Sequence, residues 1–199
     1  MAIEITGFFP GDRSGKVRWL AYELGLEVQD QWIRFPDTAD PDFRALSPLR
    51  VVPVVRIDGV PHRESTAIGH LLVERFGPEL GIAPGAPERA AYLTWIATFA
   101  ENVEQKLVEC AVSKNGLLPP ELYEANAPQL KRRMPVLAKL LPSEGFLCGR
   151  FTFADIVAAY SLRLAVQTGL LERDAVEPYL GRLIERPAAQ QAKFFDGLS

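Results

Sequence analysis

Cysteine is scarce in this sequence, since Cys110 and Cys148 are the only two among 199 residues and both lie in its second half. They belong to no CxxC motif and no cysteine–histidine cluster, which argues against a disulfide framework, a zinc module and a dithiol redox centre. The two histidines, His62 and His70, also lack a second ligand at metal-binding spacing. We therefore expect no metal, and any thiol chemistry in the first half must use a thiol from another molecule.

Long apolar runs and an excess of charge of one sign are missing as well. No stretch approaches the roughly 18 consecutive apolar residues of a membrane span, and Met1 to Gly11 lacks the basic start and apolar core of a secretion signal. Lys and Arg number 22 against 25 Asp and Glu, a net charge of −3. This near balance argues against a large surface for nucleic acid or anionic lipid. We expect a soluble cytoplasmic protein that binds neither nucleic acid nor membrane.

The hydrophobic pattern changes near residue 80. Before that point, strand-like runs and helical stripes follow the order β-α-β, a connection, then β-β-α, with Asp58-Gly59 as a hairpin signal. This order predicts a small mixed sheet with helices packed on it over residues 1–80. The segment 77–86 is rich in proline and glycine and is the natural linker. Beyond it, spacings of three and four predict an all-helical domain over residues 87–199.

Two features of the helical half concern its longest helices. The apolar spacing predicts one amphipathic helix from about Pro87 to Lys114. A second helix includes Leu130 and Leu141, and we expect Pro128 and Pro135 to start, kink or divide it, because proline removes a helical hydrogen bond.

A proline stands at the entrance of an otherwise ideal strand in Val51-Val52-Pro53-Val54-Val55. Because proline cannot donate to a ladder, it marks a strand entrance, a sheet edge or a cis peptide bond. A cis Val52–Pro53 bond would turn the N–H and C=O of Val52 outward, towards another extended backbone. The local sequence leaves open both this binding role and a plain strand start.

A second constellation, Glu64-Ser65-Thr66, lies where the last predicted strand ends and a helix begins. Ser65 is a good N-cap, and the unpaired N–H groups at the positive end of the helix dipole would hold a carboxylate. Glu64 would then meet an ammonium group, so the pair suits the α-amino acid end of a ligand. Helix capping alone also explains both residues.

A third constellation starts a predicted buried helix at Gly149-Arg150-Phe151-Thr152-Phe153-Ala154-Asp155. Thr152 and Asp155 stand three residues apart, the spacing of a capping box, in which each side chain bonds the other's backbone N–H. We assign them a structural role in folding, with no part in chemistry.

These features, in this order and spacing, resemble the glutathione S-transferase family. The resemblance covers nearly the whole chain and includes Lys16-Val17-Arg18-Trp19, Ser47-Pro48 and Glu88-Arg89-Ala90-Ala91-Tyr92-Leu93-Thr94-Trp95. It implies an α/β thioredoxin-like first domain with a mixed four-stranded sheet, an all-α bundle as the second domain, and a homodimer. It also implies glutathione as a co-substrate. Val52 beside a cis Pro53 would pair with the cysteinyl backbone of glutathione, and Glu64 with Ser65 would hold its γ-glutamyl end.

The chain departs from this family at the reacting centre. Relatives place a Tyr, Ser or Cys just after the first strand, where this sequence has Phe8 or Gly11, depending on the alignment. Ser14 is one remaining candidate, because its hydroxyl and the helix dipole would lower a thiol pKa from about 8.5 toward neutrality; N-capping explains it equally. Arg13 is the other, since a cation beside the sulfur favours the thiolate, although an ordinary exposed arginine is the alternative.

Three aromatic residues, Phe9, Trp95 and Phe99, are candidates for an apolar pocket that holds a second substrate. Core packing is the alternative for each, and the periodicity puts Phe99 on the buried stripe. The leading hypothesis is a glutathione transferase that conjugates the glutathione thiolate to a small hydrophobic electrophile, a detoxification reaction. The alternatives are a related binding or scaffold protein that has lost catalysis, and a glutathione-dependent isomerase or dehalogenase.

Overall fold

The computed structural model describes residues 2–198, which form two compact units. One consists of the chain up to Gly81 together with Arg186–Asp196, and the other of Ile82–Glu185 with the residues from Gly197 onward. The pattern of the sequence indicated a change of character at residues 77–86, but it assigned residues 186–196 to the helical half. The structure instead packs that short segment with the first unit.

The first unit is built on a mixed four-stranded sheet, as the sequence predicted. Its strands run in the order β2-β1-β3-β4; β1 pairs with β2 in parallel, and the other two pairs are antiparallel. A 3-10 turn at Phe35–Ala39 follows β2. The elements up to residue 76 are β1 (Ala2–Gly7), α1 (Ser14–Glu23), β2 (Glu27–Trp32), α2 (Pro41–Leu46), β3 (Val54–Ile57), β4 (Val60–Arg63) and α3 (Ser65–Phe76). This is a thioredoxin-like arrangement.

The strand register brings three connections to one edge of the sheet. Thr6 of β1 pairs with Val54 of β3, and Val54 pairs with Arg63 of β4. The end of β1, the start of β3 and the end of β4 therefore lie in one row. The loop after β1, the Val52–Pro53 approach to β3 and the junction after β4 all leave the sheet at this edge, which we call the row edge.

The second unit is helical. Its helices are α4 (Arg89–Phe99), α5 (Gln105–Lys114), α6 (Pro120–Leu140), α7 (Phe153–Gln167) and α8 (Glu177–Ile184). Every residue of α7 from Phe153 to Ala165 is buried, as expected for a central helix. A π-helical turn, Ala100–Glu104, joins α4 to α5. The predicted long helix is thus present from Arg89 to Lys114, with a wider turn that the apolar spacing did not reveal.

The sequence predicted that Pro128 and Pro135 would start, kink or divide α6. The helix starts at Pro120, and it runs past Pro128 and Pro135 without division. Both prolines are exposed, so the carbonyl groups that lose their partners face solvent, which can hydrate them. The opposite side of α6 buries Leu130 and Met134 completely, and this packing keeps the helix continuous.

The last helix, α9 (Pro187–Gln191), belongs to the first unit. The residues after it bring Phe194 and Phe195 against Trp19, with ring centroids 4.9 and 5.6 Å apart. Arg186 forms a two-pronged ion pair with Glu23, both N–O distances being 2.7 Å. Aromatic burial of this kind contributes about 2 kcal/mol per side chain, which explains why the terminal segment returns to α1.

None of the helices in residues 2–198 combines the length and apolar character needed to cross a bilayer.

Candidate functional site

The loop between β1 and α1 is organised by one buried carboxylate, that of Asp12. Its Oδ2 accepts hydrogen bonds from the backbone N–H of Phe8 at 2.5 Å and of Phe9 at 3.4 Å, and its Oδ1 accepts one from Ser14 at 2.6 Å. The carbonyl of Asp12 also accepts from the N–H of Gly15 at 3.0 Å. Asp12 is only 7% exposed. Its side chain therefore pairs with the first N–H of α1, that of Ser14, and with two N–H groups of the loop, although Arg13 occupies the N-cap position itself.

Ser14 lies at the start of the first helix, as expected, but Arg13 and not Ser14 occupies the N-cap position. Ser14 is the first residue of α1 and is fully buried, with 0% exposure. Its hydroxyl lies against Gly7, where an added Cβ would come within 2.3 Å of Ser14 Oγ, and it accepts a long hydrogen bond of 3.4 Å from Arg18 Nη2. The hydroxyl thus faces the interior beneath β1, so it is neither the helix cap nor accessible to a sulfur arriving from solvent.

Beneath Ser14, α1 is tied to β2 by an ion pair. Arg18 Nε and Nη2 donate to Asp30 Oδ1 at 2.8 and 2.6 Å, and the guanidinium carbon lies 4.5 Å from the centre of the Trp32 ring. Arg18 Nη1 is buried without a hydrogen-bond partner among the described residues. The Arg18 charge is therefore compensated by Asp30, on the inner side of the loop.

Arg13, the other candidate at the reacting centre, is half-buried and occupies the position before α1 in a helical conformation. It takes part in interactions of its own, so it is more than an exposed surface arginine.

The bond between Val52 and Pro53 is cis, which is what the family resemblance implied. Val52 is buried and packs with Phe43 and Val54 in a small apolar cluster. The Ser47 hydroxyl stabilises the segment that leads into Val52, because it accepts a hydrogen bond from the N–H of Val51 at 3.1 Å and donates one to the carbonyl of Val51 at 2.8 Å. The ladder pairs of β3 begin only at Val54, so the backbone of Val52 lies outside the sheet pairing, at the row edge.

Glu64 has the most unusual backbone at the row edge. Its φ of 66° lies in the left-handed region, where a residue other than glycine costs on the order of 1 kcal/mol. Glu64 is the N-cap residue of α3, but its side chain makes no capping bond. Its exposed carboxylate has no partner among residues 2–198. A strained residue whose charged side chain is held out unpaired is a reasonable candidate for ligand binding.

Ser65 is the first residue of α3, one position later than the N-cap that the sequence predicted. It is 6% exposed. Glu64 directly precedes the first residue of α3, so an acidic residue stands next to the positive end of the helix. This pairing of charges fits a ligand that carries both a carboxylate and an ammonium.

The three aromatic candidates differ in exposure. Phe9, in the β1–α1 loop, is 56% exposed. In the helical unit, Trp95 is half-buried and stacks on Phe99, with ring centroids 5.9 Å apart and planes 18° from parallel. Phe99 is fully buried. The core alternative is therefore correct for Phe99, whereas Phe9 presents an apolar ring to solvent.

Neither cysteine is an activated thiol. Burial raises the pKa of Cys110, and burial followed by the nearby Asp155 raises the pKa of Cys148. Both groups therefore stay protonated at neutral pH, when they are least nucleophilic. In the part of the chain that the structure describes, no three His, Cys, Asp or Glu side chains form a cluster suited to a metal ion.

The sequence analysis missed Asp12, although a signal was present. Asp is among the strongest N-cap residues, and Asp12 stands two positions before the first helical residue. Ser14 is also a good N-cap residue, and the cap was therefore assigned to Ser14. The choice between them depends on Gly7, whose missing side chain makes room for the inward-facing Ser14 hydroxyl.

Comparisons with known proteins find similarity to glutathione transferases in both sequence and fold. The family model described as glutathione S-transferase, N-terminal domain, matches residues 13–75. Glutathione S-transferase 3 of Caenorhabditis elegans is 26% identical over 184 residues, which cover 87% of this chain and 86% of that protein. These two matches rest on sequence alone.

Solved structures show the same fold. A glutathione transferase from Methylococcus capsulatus superimposes with a TM-score of 0.82 at 24% identity, covering 99% of this chain and 100% of that one. A glutathione transferase from Pseudomonas putida, solved with one glutathione disulfide per subunit, has a TM-score of 0.80 at 20% identity, covering 98% and 92%. The matching N-terminal domain, the curated relative and the shared fold lead to one conclusion: the chain has the fold of glutathione transferases, and its residues 13–75 are similar to the N-terminal domain of that family.

Proposed function

We propose that this protein binds glutathione at the row edge and conjugates it, through its sulfur, to a small apolar electrophile, with loss of the thiol proton. The observation that carries the proposal is the register row Thr6–Val54–Arg63. It brings Val52, beside its cis proline, to the same edge as Glu64 and Ser65. The glutathione disulfide in the Pseudomonas putida structure supports a tripeptide of this kind as the ligand.

The γ-glutamyl end of glutathione carries an ammonium and a carboxylate on one carbon. In the proposed complex, the unpaired carboxylate of Glu64 binds the ammonium. The N–H groups at the start of α3 and the Ser65 hydroxyl bind the carboxylate, an arrangement that helix N-termini favour. The backbone of Val52 pairs with the cysteinyl residue as an added extended segment would.

The sulfur would then lie near the β1–α1 loop, because the end of β1 neighbours the start of β3. Phe8 and Gly11 have no hydroxyl that could bind this sulfur, and the hydroxyl of Ser14 is buried. We therefore attribute the rate gain chiefly to the binding of the two reactants side by side. Such positioning gives a large acceleration when the reacting groups are well oriented. Arg13 contributes as a nearby cation, and the exposed ring of Phe9 offers an apolar contact for the electrophile.

A second candidate function is glutathione binding with little or no catalysis. The burial of Ser14 favours it, because the chain then lacks a side chain of the kind relatives use at the sulfur. We also propose, from the family resemblance, a cytoplasmic homodimer. Analytical ultracentrifugation of the purified chain tests the dimer, and a monomer at micromolar concentration contradicts it.

Binding is tested by isothermal titration with glutathione on the full chain and on Glu64→Gln. Loss of a charge-assisted contact of about 1.5–3 kcal/mol should weaken binding roughly 10- to 100-fold. Glu74→Gln, an exposed carboxylate further along α3, is the matched control and should bind as the parent does. If the parent shows no heat and no thermal stabilisation with millimolar glutathione, the proposed function is wrong.

Turnover separates the two candidate functions. We expect the parent to conjugate glutathione with a reactive aryl halide such as chlorodinitrobenzene faster than the uncatalysed reaction. Binding without any rate above background, across aryl halides, epoxides and unsaturated carbonyl compounds, supports the non-catalytic candidate.

A further inference from the structure

Phe35, which the sequence analysis did not single out, carries an exposed aromatic ring on a fixed turn. It begins the 3-10 turn that follows β2 and is 70% exposed. The N–H of Arg34 donates to Asp37 Oδ2 at 2.7 Å, and the hydroxyl of the buried Thr38 donates to the carbonyl of Phe35 at 2.8 Å. Pro36 adds a fixed φ angle. The backbone of Phe35 is therefore held in place while its ring faces solvent.

The strand register brings this turn next to the β1–α1 loop. Gly7, the last residue of β1, pairs with Trp32, the last residue of β2. Beyond that pair, the N–H of Ile33 donates to the carbonyl of Gly7 at 3.0 Å. The loop after β1 and the turn after β2 therefore start side by side.

The ring of Phe35 lies against Phe8, the first residue of the β1–α1 loop, and we call these two residues the aromatic pair. Their ring centroids are 6.1 Å apart and their planes are tilted by 56°, within the range that aromatic side chains prefer. Phe8 is half-buried and packs against the apolar cluster that contains Val52. Two connected contacts thus lead from the segment proposed to bind glutathione to an exposed aromatic ring.

The aromatic pair can receive a further ring at little cost in desolvation. Neither phenyl group carries a hydroxyl that would lose its hydration. The charges of the neighbouring turn compensate each other, since Arg34 Nη2 lies 3.2 Å from Asp37 Oδ1. An aromatic group of a ligand would add a third tilted or stacked ring, a contact that a saturated group of the same size does not make.

We propose that Phe35 is a specificity-determining residue: with Phe8 it binds the aromatic group of the second substrate, so that the site favours aromatic electrophiles over aliphatic ones. The proposal rests on glutathione binding at the row edge, as proposed above, and it adds the class of the second substrate. With an aryl halide, the carbon–sulfur bond forms as the carbon–halogen bond breaks, and the halide and the thiol proton leave to solvent.

Two glutathione thioethers of similar size test the proposal on the full chain without turnover. S-benzylglutathione carries an aromatic ring, and S-(cyclohexylmethyl)glutathione carries a saturated one. Calorimetry should show the benzyl compound binding roughly 3- to 10-fold more tightly, because only its ring makes aromatic contacts. Equal affinities, or tighter binding of the saturated compound, overturn the inference.

Substitution of Phe35 assigns the preference to one residue. Phe35→Leu keeps an apolar side chain but removes the ring, so the preference for the benzyl compound should fall to about twofold or less. The affinity for S-methylglutathione, which has no ring, should stay that of the parent. Val60→Ala, the control, removes an exposed apolar side chain at the other end of β3 and should keep the parent's preference. If Phe35→Leu keeps it too, the role of Phe35 is wrong.

The outcomes keep the two proposals apart. If neither glutathione nor S-methylglutathione binds the parent, glutathione binding itself fails, and the role of Phe35 falls with it. If both bind but the benzyl and cyclohexylmethyl compounds bind equally, only the inference about Phe35 fails. Because Phe35 is largely exposed, its replacement should change stability little, and the comparison of the two thioethers on the parent decides independently of the variant.

Discussion

Replacing Asp155 with alanine should cost the helical unit a large share of its stability. The Asp155 carboxylate is fully buried and accepts from Leu147 N–H at 3.0 Å, Thr152 N–H at 2.9 Å, Thr152 Oγ1 at 3.2 Å and Tyr179 Oη at 2.7 Å. It thereby joins the loop before α7, the α7 capping box and α8. Alanine leaves buried donors without an acceptor, each costing about 1–3 kcal/mol. With partial relaxation of the loop, we expect a total loss of about 3–5 kcal/mol.

The same residue sets a pH dependence whose sign follows from its environment. Burial, the largest effect, raises the pKa of Asp155 above its ordinary value, and the hydrogen bonds from Leu147, Tyr179 and Thr152 only partly oppose this. A carboxyl whose pKa is raised on folding stabilises the protein fully below its unfolded pKa of about 3.9 and loses that contribution as the pH rises through the folded value. Burial also raises the pKa of Tyr179, so its hydroxyl remains a donor throughout.

Chemical denaturation of the parent and of Asp155→Ala, repeated at several pH values from mildly acidic to neutral, measures both effects. The parent should lose stability over the window above about pH 4, and the variant should lack this component. Asp174→Ala, an exposed carboxylate in the turn before α8, is the control and should change the free energy of unfolding by less than about 0.5 kcal/mol. If Asp155→Ala unfolds at the same denaturant concentration as the control, the reasoning is refuted.

Two further substitutions test the packing beneath the β1–α1 loop. Asp30→Ala should destabilise the first unit by about 3 kcal/mol, because it leaves the buried Arg18 charge unpaired. Thermal unfolding measures this loss. The control, Glu27→Ala, removes an exposed carboxylate from the same strand and should have little effect. Gly7→Ala should lower the free energy of unfolding by about 1–3 kcal/mol through overpacking, because the added Cβ would meet the Ser14 hydroxyl at 2.3 Å. An unchanged melting temperature would contradict the inward placement of Ser14.

Much of the fold could be read from local patterns. The order β-α-β and then β-β-α was predicted correctly because alternation and helical spacing record which face of each element is buried. The short helix α2 (Pro41–Leu46) lies in what was predicted as a plain connection. The capping box at α7 is equally local: Thr152 and Asp155 lie three residues apart, and this spacing alone lets each side chain reach the other's backbone. The continuity of α6 was not predicted, because the exposure of Pro128 and Pro135 depends on what packs against the opposite face.

The candidate site was predicted in part. The sequence singled out Val52, Glu64 and Ser65, and the strand register brings their segments to one edge of the sheet. It did not predict the left-handed conformation of Glu64, because that strain is imposed by the turn from β4 into α3. It also named Ser14 as the cap or the reacting hydroxyl, whereas Asp12 holds the loop together.

The sequence by itself determined the order of the elements, the change from mixed sheet to helices, and the absence of a cysteine from the first half of the chain. Those properties follow from residue type and spacing. Only the tertiary structure decided which side chains of the β1–α1 loop turn inward. That choice depends on Gly7 beside Ser14 and on Arg18 held by Asp30, and contacts between different elements leave no period in the sequence. The Asp12 carboxylate, which organises this loop, likewise became visible only in the folded chain.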